Sequence, residues 1–134
     1  MLNKPLEKNE TMSIELKNGI LFGQYITASV NLKQAKELVA FRLNYCDHMD
    51  FPAVISGFAS VKINKEARQY LGSLEAQTHI SICAFVATNP IMMLLATLFL
   101  KLDAKVLQFP CKVFRNQKTA VKWIKSNTVL KQGV

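Results

Sequence analysis

Long uninterrupted hydrophobic runs are missing from this chain of 134 residues, and so are the short motifs that announce most enzymes. The nearest approach to a membrane span is residues 80–102, ISICAFVATNPIMMLLATLFLKL, and Asn89-Pro90 divides it. Proline lacks an N–H and has a fixed φ, which suits the first helical position, and asparagine before it is a preferred N-cap. Neither half reaches the roughly 20 apolar residues that a spanning helix needs. The stretch therefore predicts a buried strand at 80–87 and a helix at 90–102, in a soluble α/β domain. No GxSxG, glycine-rich phosphate loop, HExxH or metal-spaced Cys/His cluster occurs, so no catalytic residue, metal or cofactor is expected. The cysteines number three (Cys46, Cys83, Cys111) and none forms a CxxC pair. That argues against a disulfide scaffold or zinc site and for reduced thiols in the cytoplasm. No apolar stretch follows the first charges, so no signal peptide is expected. Acidic residues are scarce late in the chain. Residues 101–134 hold eight of the 17 basic residues and one of the nine acids, a balance of +7 against +1 in the rest. Such a field can attract anionic lipid or nucleic acid, or simply solvate a surface.

What is present is a globular composition, 50% hydrophobic and 19% charged, of a length suited to one domain. Residues 1–12 are polar, hold a proline and lack an apolar period, which predicts a flexible arm. Asn18-Gly19 between two apolar runs is a strong hairpin signal, because both central turn residues need φ > 0; a hairpin is expected at 13–28. Asn31 caps a helix with Ala35, Leu38, Val39 and Arg42 at helical spacing, ending near Tyr45. Residues 51–56 (FPAVIS) read as an inner strand, 57–63 as a loop, and 65–77 as a helix capped by Asn64 and weakened by Gly72. A last strand at 111–114 precedes a helix from the Asn116 cap to about residue 126, with a frayed tail at 127–134. The order β-β-α-β-α-β-α-β-α implies an α/β fold, with a mixed sheet, an N-terminal hairpin and flanking helices.

Four candidate sites follow. At the ends of inner strands, Ser60, Lys62, Asn64, Thr88 and Asn89 make a ligand constellation, since open sheets bind ligands there and helix starts favour anions; capping alone also explains both asparagines. His48, between Asp47 and Asp50, is a loop histidine with flanking acids, and His79 has no evident partner. Lys118, Lys122 and Lys125 share one helix face, a basic patch for an anionic membrane or a solvated surface. It has no aromatic interleaving, so nucleic acid is not the expected partner. Finally, the helix at 90–102 is apolar on nearly all sides, and Met92, Met93, Leu95 and Phe99 give it more apolar surface than one sheet face hides. A second copy of the chain, a bound lipid or other apolar ligand, the N-terminal arm or neighbouring helices could cover it.

The element order and its residues resemble the STAS/SEC14-like group, which shares the fold of anti-sigma factor antagonists. The resemblance covers residues 13–126. It rests on NGILFGQY, NLKQAKELVAFRL, INKEARQYLGSLE, AFVATNPIMMLLATLFLKL and KVFRNQKTAVKWI. It is similar, more narrowly, to small bacterial proteins described as STAS/SEC14 domain-containing. The resemblance implies a STAS-like regulatory or ligand-binding module, with a regulatory protein as partner, rather than an enzyme. In the antagonists a serine at the helix start after the central strand is phosphorylated. The matching stretch here is residues 56–64, where Ser60 lies nearby, Asn64 takes the helix start and the antagonists' acid-then-serine pattern is absent. Together with the apolar helix, the expected role is a cytoplasmic, self-associating homodimer. The alternatives are a binder of lipid or another apolar ligand at a membrane surface, and an enzyme of unknown reaction.

Overall fold

The computed structural model describes residues 2–90 and 108–128. In chain order the elements are β1 Lys4–Lys8, β2 Met12–Lys17, β3 Ile20–Tyr25, β4 Ser29–Val30, α1 Leu32–Tyr45, β5 Phe51–Ser56, a 3-10 turn Phe58–Ser60, β6 Lys62–Ile63, α2 Lys65–Leu71, α3 Leu74–Gln77, β7 Ile80–Val86, β8 Cys111–Phe114 and α4 Gln117–Asn127. Six strands form one mixed sheet in the order β1-β2-β3-β5-β7-β8. The pairings β1/β2 and β2/β3 are antiparallel, and the three from β3 to β8 are parallel.

The hairpin forms at the Asn-Gly pair. Asn18 (φ 53°) and Gly19 (φ 78°) are both left-handed, the backbone that matches the twist of a two-residue hairpin. Lys17 pairs with Ile20 across it. Asn31 caps α1 through a reciprocal box: its side chain accepts from Gln34 N, and Gln34 Oε1 accepts from Asn31 N, both at 2.9 Å. The Asn31 cap is legible in the sequence; the Gln34 half of the box emerges only in the structure.

Three expectations are corrected. Residues 4–8, within the expected flexible arm, form β1 at the edge of the sheet. The Asn9 side chain accepts from Thr11 N and Met12 N, both 2.9 Å, and so builds the turn into β2. An edge strand exposed along most of its length needs no apolar period, which is why composition hid it. Pro5 is tolerated because the β1/β2 register shifts between Lys4 and Glu7, and edge strands accept a missing donor at such a bulge. Second, the helix expected over 65–77 is two helices. Gly72 N–H donates to Arg68 O and ends α2, and Ser73 Oγ accepts from Ala76 N (3.3 Å) to start α3. Third, the loop expected at 57–63 contains β6, which pairs in parallel with β4; two-residue strands carry no readable period. Gly57 opens this stretch at φ 79°, where a Cβ would lie 2.9 Å from Tyr25 O, so no other residue fits without strain.

The sheet carries a layer on each face. On one, Leu38 and Tyr45 of α1 and its C-cap residue Cys46 join Met12, Ile14, Leu16, Leu21, Phe51, Ala53 and Cys83. On the other, Ala120 and Ile124 of α4 join Ile20, Val54, Ile82, Ala84 and Val86. The alternation of Ala53 with Val54, and of Cys83 with its neighbours Ile82 and Ala84, is the period of two that sends successive side chains to opposite faces. Val30, Ala35 and Ala67 form a small cluster joining α1 to α2. Pro90 has helical backbone. The rest of the helix expected at 90–102 lies outside the described residues, with Met92, Met93, Leu95 and Phe99, as does the tail from residue 129. Among the described residues, no helix is long and apolar enough to cross a membrane.

Candidate functional site

The β4/β6 pair places two helix starts side by side. Ser29 pairs with Lys62 and Val30 with Ile63, so the next residues, Asn31 and Asn64, begin α1 and α2 as neighbours. Lys62 N donates to Ala28 O (2.9 Å) and Asn64 N to Val30 O (3.1 Å), which locks the register. Between them runs an open groove of about 280 Å³, lined by Ser29, Val30, Asn31, Gln34, Lys62, Ile63 and Asn64. Each asparagine oxygen is engaged by its own helix: Asn31 by Gln34 N and Asn64 by Ala67 N, both at 2.9 Å. The caps are thus accounted for by helix initiation. What the groove offers beyond them is the Lys62 ammonium and the positive ends of two helix dipoles, an environment that favours negative charge.

The five residues of the expected ligand constellation fall into two groups. Lys62 and Asn64 line this groove with Ser29, Asn31 and Gln34, which sequence spacing did not connect to them. Ser60, Thr88 and Asn89 do not line it. They are exposed beyond the C-terminal ends of β5 and β7, where Gln24, Ser56, Val86 and Phe114 form one row across the sheet. Phe58 packs edge-on against Phe85 (ring centroids 4.9 Å) and fixes the loop that carries Ser60. A second groove, of about 170 Å³, crosses the polar part of the sheet beside α4, with Ser13, Glu15, Lys17, Gln24, Ser56 and Gln117 among its lining.

His79 has a partner after all. Its Nδ1 lies 2.6 Å from Asp50 Oδ1, and the His48 ring stands edge-on to it at 6.3 Å. Asp47, His48 and His79 all have left-handed backbone, φ 53°, 55° and 66°. The signal was available: once β5 and β7 are neighbours with Phe51 opposite Ile80, the residues before them, Asp50 and His79, must meet. The pair is open to solvent, with Asp50 exposed and His79 half-buried, and lies at the strands' N-terminal edge, outside both grooves. A pair of this kind contributes little stability. Among the described residues no group of three or more His, Cys, Asp or Glu could hold a metal.

The α4 lysines are placed as their spacing implies. Lys118, Lys122 and Lys125 are exposed, whereas Ala120 and Ile124 on the opposite side are fully buried. Trp123 packs on Phe114 (5.4 Å between centroids) and is not free to stack on a base.

One constellation escaped sequence reasoning entirely. Arg42 sits on the inward side of α1 at 7% exposure. Its Nη2 donates to Ala76 O (2.9 Å), and Nη1 has no hydrogen-bond partner among the described residues. Burial lowers its pKa, opposed by Cys46, Cys83 and Tyr70 nearby. The helical period placed Arg42 on the core side, but nothing local foretold the thiols around it.

Comparison with known proteins fits this architecture. A similar solved structure is that of an uncharacterised protein from the DUF3478 family with a SpoIIAA-like fold, from Shewanella loihica PV-4. It is 10% identical, with a TM-score of 0.57, over 92% of this chain and 95% of that one. At that identity the likeness shows the fold alone: a mixed α/β, SpoIIAA-like architecture, the antagonist fold expected from the sequence. The narrower STAS/SEC14 family is not the one whose profile matches. No curated protein matches the chain in sequence. The matching family profile spans residues 14–128, and the chain belongs to that family, described as "Domain of unknown function (DUF7793)".

Proposed function

We propose that this chain is a non-catalytic, cytoplasmic regulatory or protein-interaction module that self-associates through the apolar segment at 91–102. The observation that carries this reading is the apolar composition of that segment. Within residues 91–102 the polar side chains are Thr97 and Lys101. The centre of the sheet is already covered by α1 on one face and α4 on the other. Among the described residues, the groove beside α4 mixes Ser13, Glu15, Lys17, Gln24, Ser56 and Gln117 with Leu6, Ile14, Phe22 and Val54, an incomplete apolar cover for a segment of leucine, methionine and phenylalanine. An isologous contact between two copies needs only one such patch. Edge-to-edge pairing through β1 is disfavoured, because Lys4, Pro5 and Lys8 blunt that edge.

Sedimentation at micromolar concentration is the test. The chain is expected to be a dimer, and Leu95→Lys with Phe99→Lys to weaken it by on the order of thirtyfold or more per side chain, since each buried apolar side chain contributes about 2 kcal/mol. Circular dichroism should be unchanged. A strictly monomeric unmodified chain overturns the reading.

The exposed lysine face of α4 favours a second reading, an apolar-ligand binder that meets anionic lipid headgroups. It predicts salt-sensitive binding to phosphatidylserine vesicles that is lost on changing Lys118, Lys122 and Lys125 to Glu. No vesicle binding, or binding indifferent to salt, removes it.

A further inference from the structure

The geometry points to a redox-responsive thiol pair, Cys83 and Cys111, that forms a reversible disulfide when a hydroperoxide reaches the half-exposed Cys111. The two cysteines sit opposite each other on adjacent parallel strands, Cys83 on β7 and Cys111 on β8. Neighbouring strands lie about 4.8 Å apart, inside the roughly 4.4–6.8 Å between Cα atoms that a disulfide spans. Both side chains point to the same side of the sheet, into the cluster that also holds Cys46. All three cysteines are free. Cys83 is buried at 2% exposure, whereas Cys111 is half-buried on the strand that ends the sheet.

Three features suit this pair to the chemistry. The thiols are close enough to hydrogen-bond, and that bond, with burial, holds the Cys83 proton well above the usual thiol range. Cys83 therefore waits as the buried, protonated partner while the more accessible Cys111 meets the oxidant, since oxidation follows access. The buried Arg42 guanidinium, with Nη1 unpartnered among the described residues, opposes that shift at Cys83 and stabilises negative charge on sulfur there.

The step balances. The Cys111 thiolate attacks the hydroperoxide, its S–O bond forms as the O–O bond breaks, and water or an alcohol leaves after protonation. The Cys83 sulfur then displaces hydroxide from the Cys111 sulfenic acid. The S–S bond forms, the S–O bond breaks, and the Cys83 proton leaves with the hydroxide as water. Each sulfur gives up one electron and the peroxide takes both. The bridge would close residues 84–110 into a covalent loop that contains the apolar segment 91–102. The inference stands on the cysteines alone and does not depend on self-association.

The test uses the full reduced chain and hydrogen peroxide, followed by unfolding in an alkylating agent, intact mass and a non-reducing peptide map. The expected result is loss of two hydrogens, one peptide pair linking Cys83 to Cys111, and Cys46 alkylated. Cys46→Ser should behave identically. Cys83→Ala should leave Cys111 as a sulfenic acid that a cyclic diketone captures. Full alkylation of Cys83 and Cys111 after peroxide treatment overturns the inference, as does a linkage that is intermolecular or through Cys46. The map of the unmodified chain decides the matter even if a variant fails to fold.

Discussion

Phe51→Ala is expected to cost about 3–5 kcal/mol of folding stability. Phe51 heads the largest fully buried side chains, at 2% exposure. It shares a cluster with Met12, Leu16, Tyr45 and Cys46, so its ring sits where β5 meets α1 and the hairpin. Truncation removes the transfer free energy of the ring and leaves a cavity bordered by strands whose register is fixed by their own ladders. Those walls cannot close in without breaking backbone hydrogen bonds. A domain of this size has about 5–15 kcal/mol in total, so the variant should lose a large share of it and unfold at much lower denaturant. Leu74→Ala is the control. Leu74 is 68% exposed, and its loss should fall within about 0.5 kcal/mol of neutral. Equal midpoints for the two variants in urea unfolding would show that the ring is not a core element. Phe51 also bears on His79, because its N–H donates to His79 O (3.2 Å). A collapse around residue 51 should therefore loosen the Asp50–His79 contact as well.

The parts of this fold that were legible are those in which one local rule acts alone. Asn18-Gly19 marks a turn because few other pairs take two left-handed residues. Asn31, Asn64 and Asn116 mark helix starts because each side chain accepts from its own helix, at 2.9 Å in every case. Residues 51–56 coincide with β5 because a buried parallel strand reads as a short apolar run, and 111–114 coincide with β8, an edge strand bounded by Pro110 and the Asn116 cap. What was not legible depends on pairing between distant segments. β1 has an exposed pattern and exists because β2 offers an edge and Asn9 builds the turn. β4 and β6 are two residues each and exist because they meet. The same reason hid the candidate sites. Asp50 and His79 are 29 residues apart, and Cys83 and Cys111 are 28 apart; only the sheet order makes them neighbours. The groove holding Lys62 and Asn64 likewise requires β4, which the sequence does not announce. Ser60, Thr88 and Asn89 share with them a place near strand ends, and strand ends alone do not say which loops share a groove.

Tyr45→Phe should cost about 1–3 kcal/mol, although it removes a single oxygen. The hydroxyl accepts from Leu16 N–H (2.9 Å) and can donate to Lys4 O or Pro5 O, each at 2.8 Å. It fills the gap that the irregular β1/β2 register leaves at Leu16, a residue exposed at just 1%. Without it a buried donor is orphaned, and the strand that the sequence could not announce loses its anchor. Lys4 would still reach Tyr45 O (2.6 Å) and Asp47 (3.3 Å), so β1 should loosen rather than detach. Hydrogen exchange reads this directly: the Leu16 amide should exchange faster in the variant, while amides in β5 and β7 slow or quicken only with global stability. Alkaline pH supplies an independent check. Burial raises the Tyr45 pKa above 10.0, partly offset by the Leu16 N–H, which favours the phenolate. Tyr70 is also raised, and Tyr25 is pushed up to about 12, both chiefly by burial. Above pH 10 the unfolded chain then releases phenol protons that the folded chain still holds. Stability from these groups is full below pH 10 and falls as pH rises through the folded values. Tyr45→Phe, lacking one of the three, should lose less stability between pH 9 and 11 than the unmodified chain. An alkaline slope as steep as before, with Leu16 exchange unchanged, would mean that the hydroxyl does not hold β1 to the sheet.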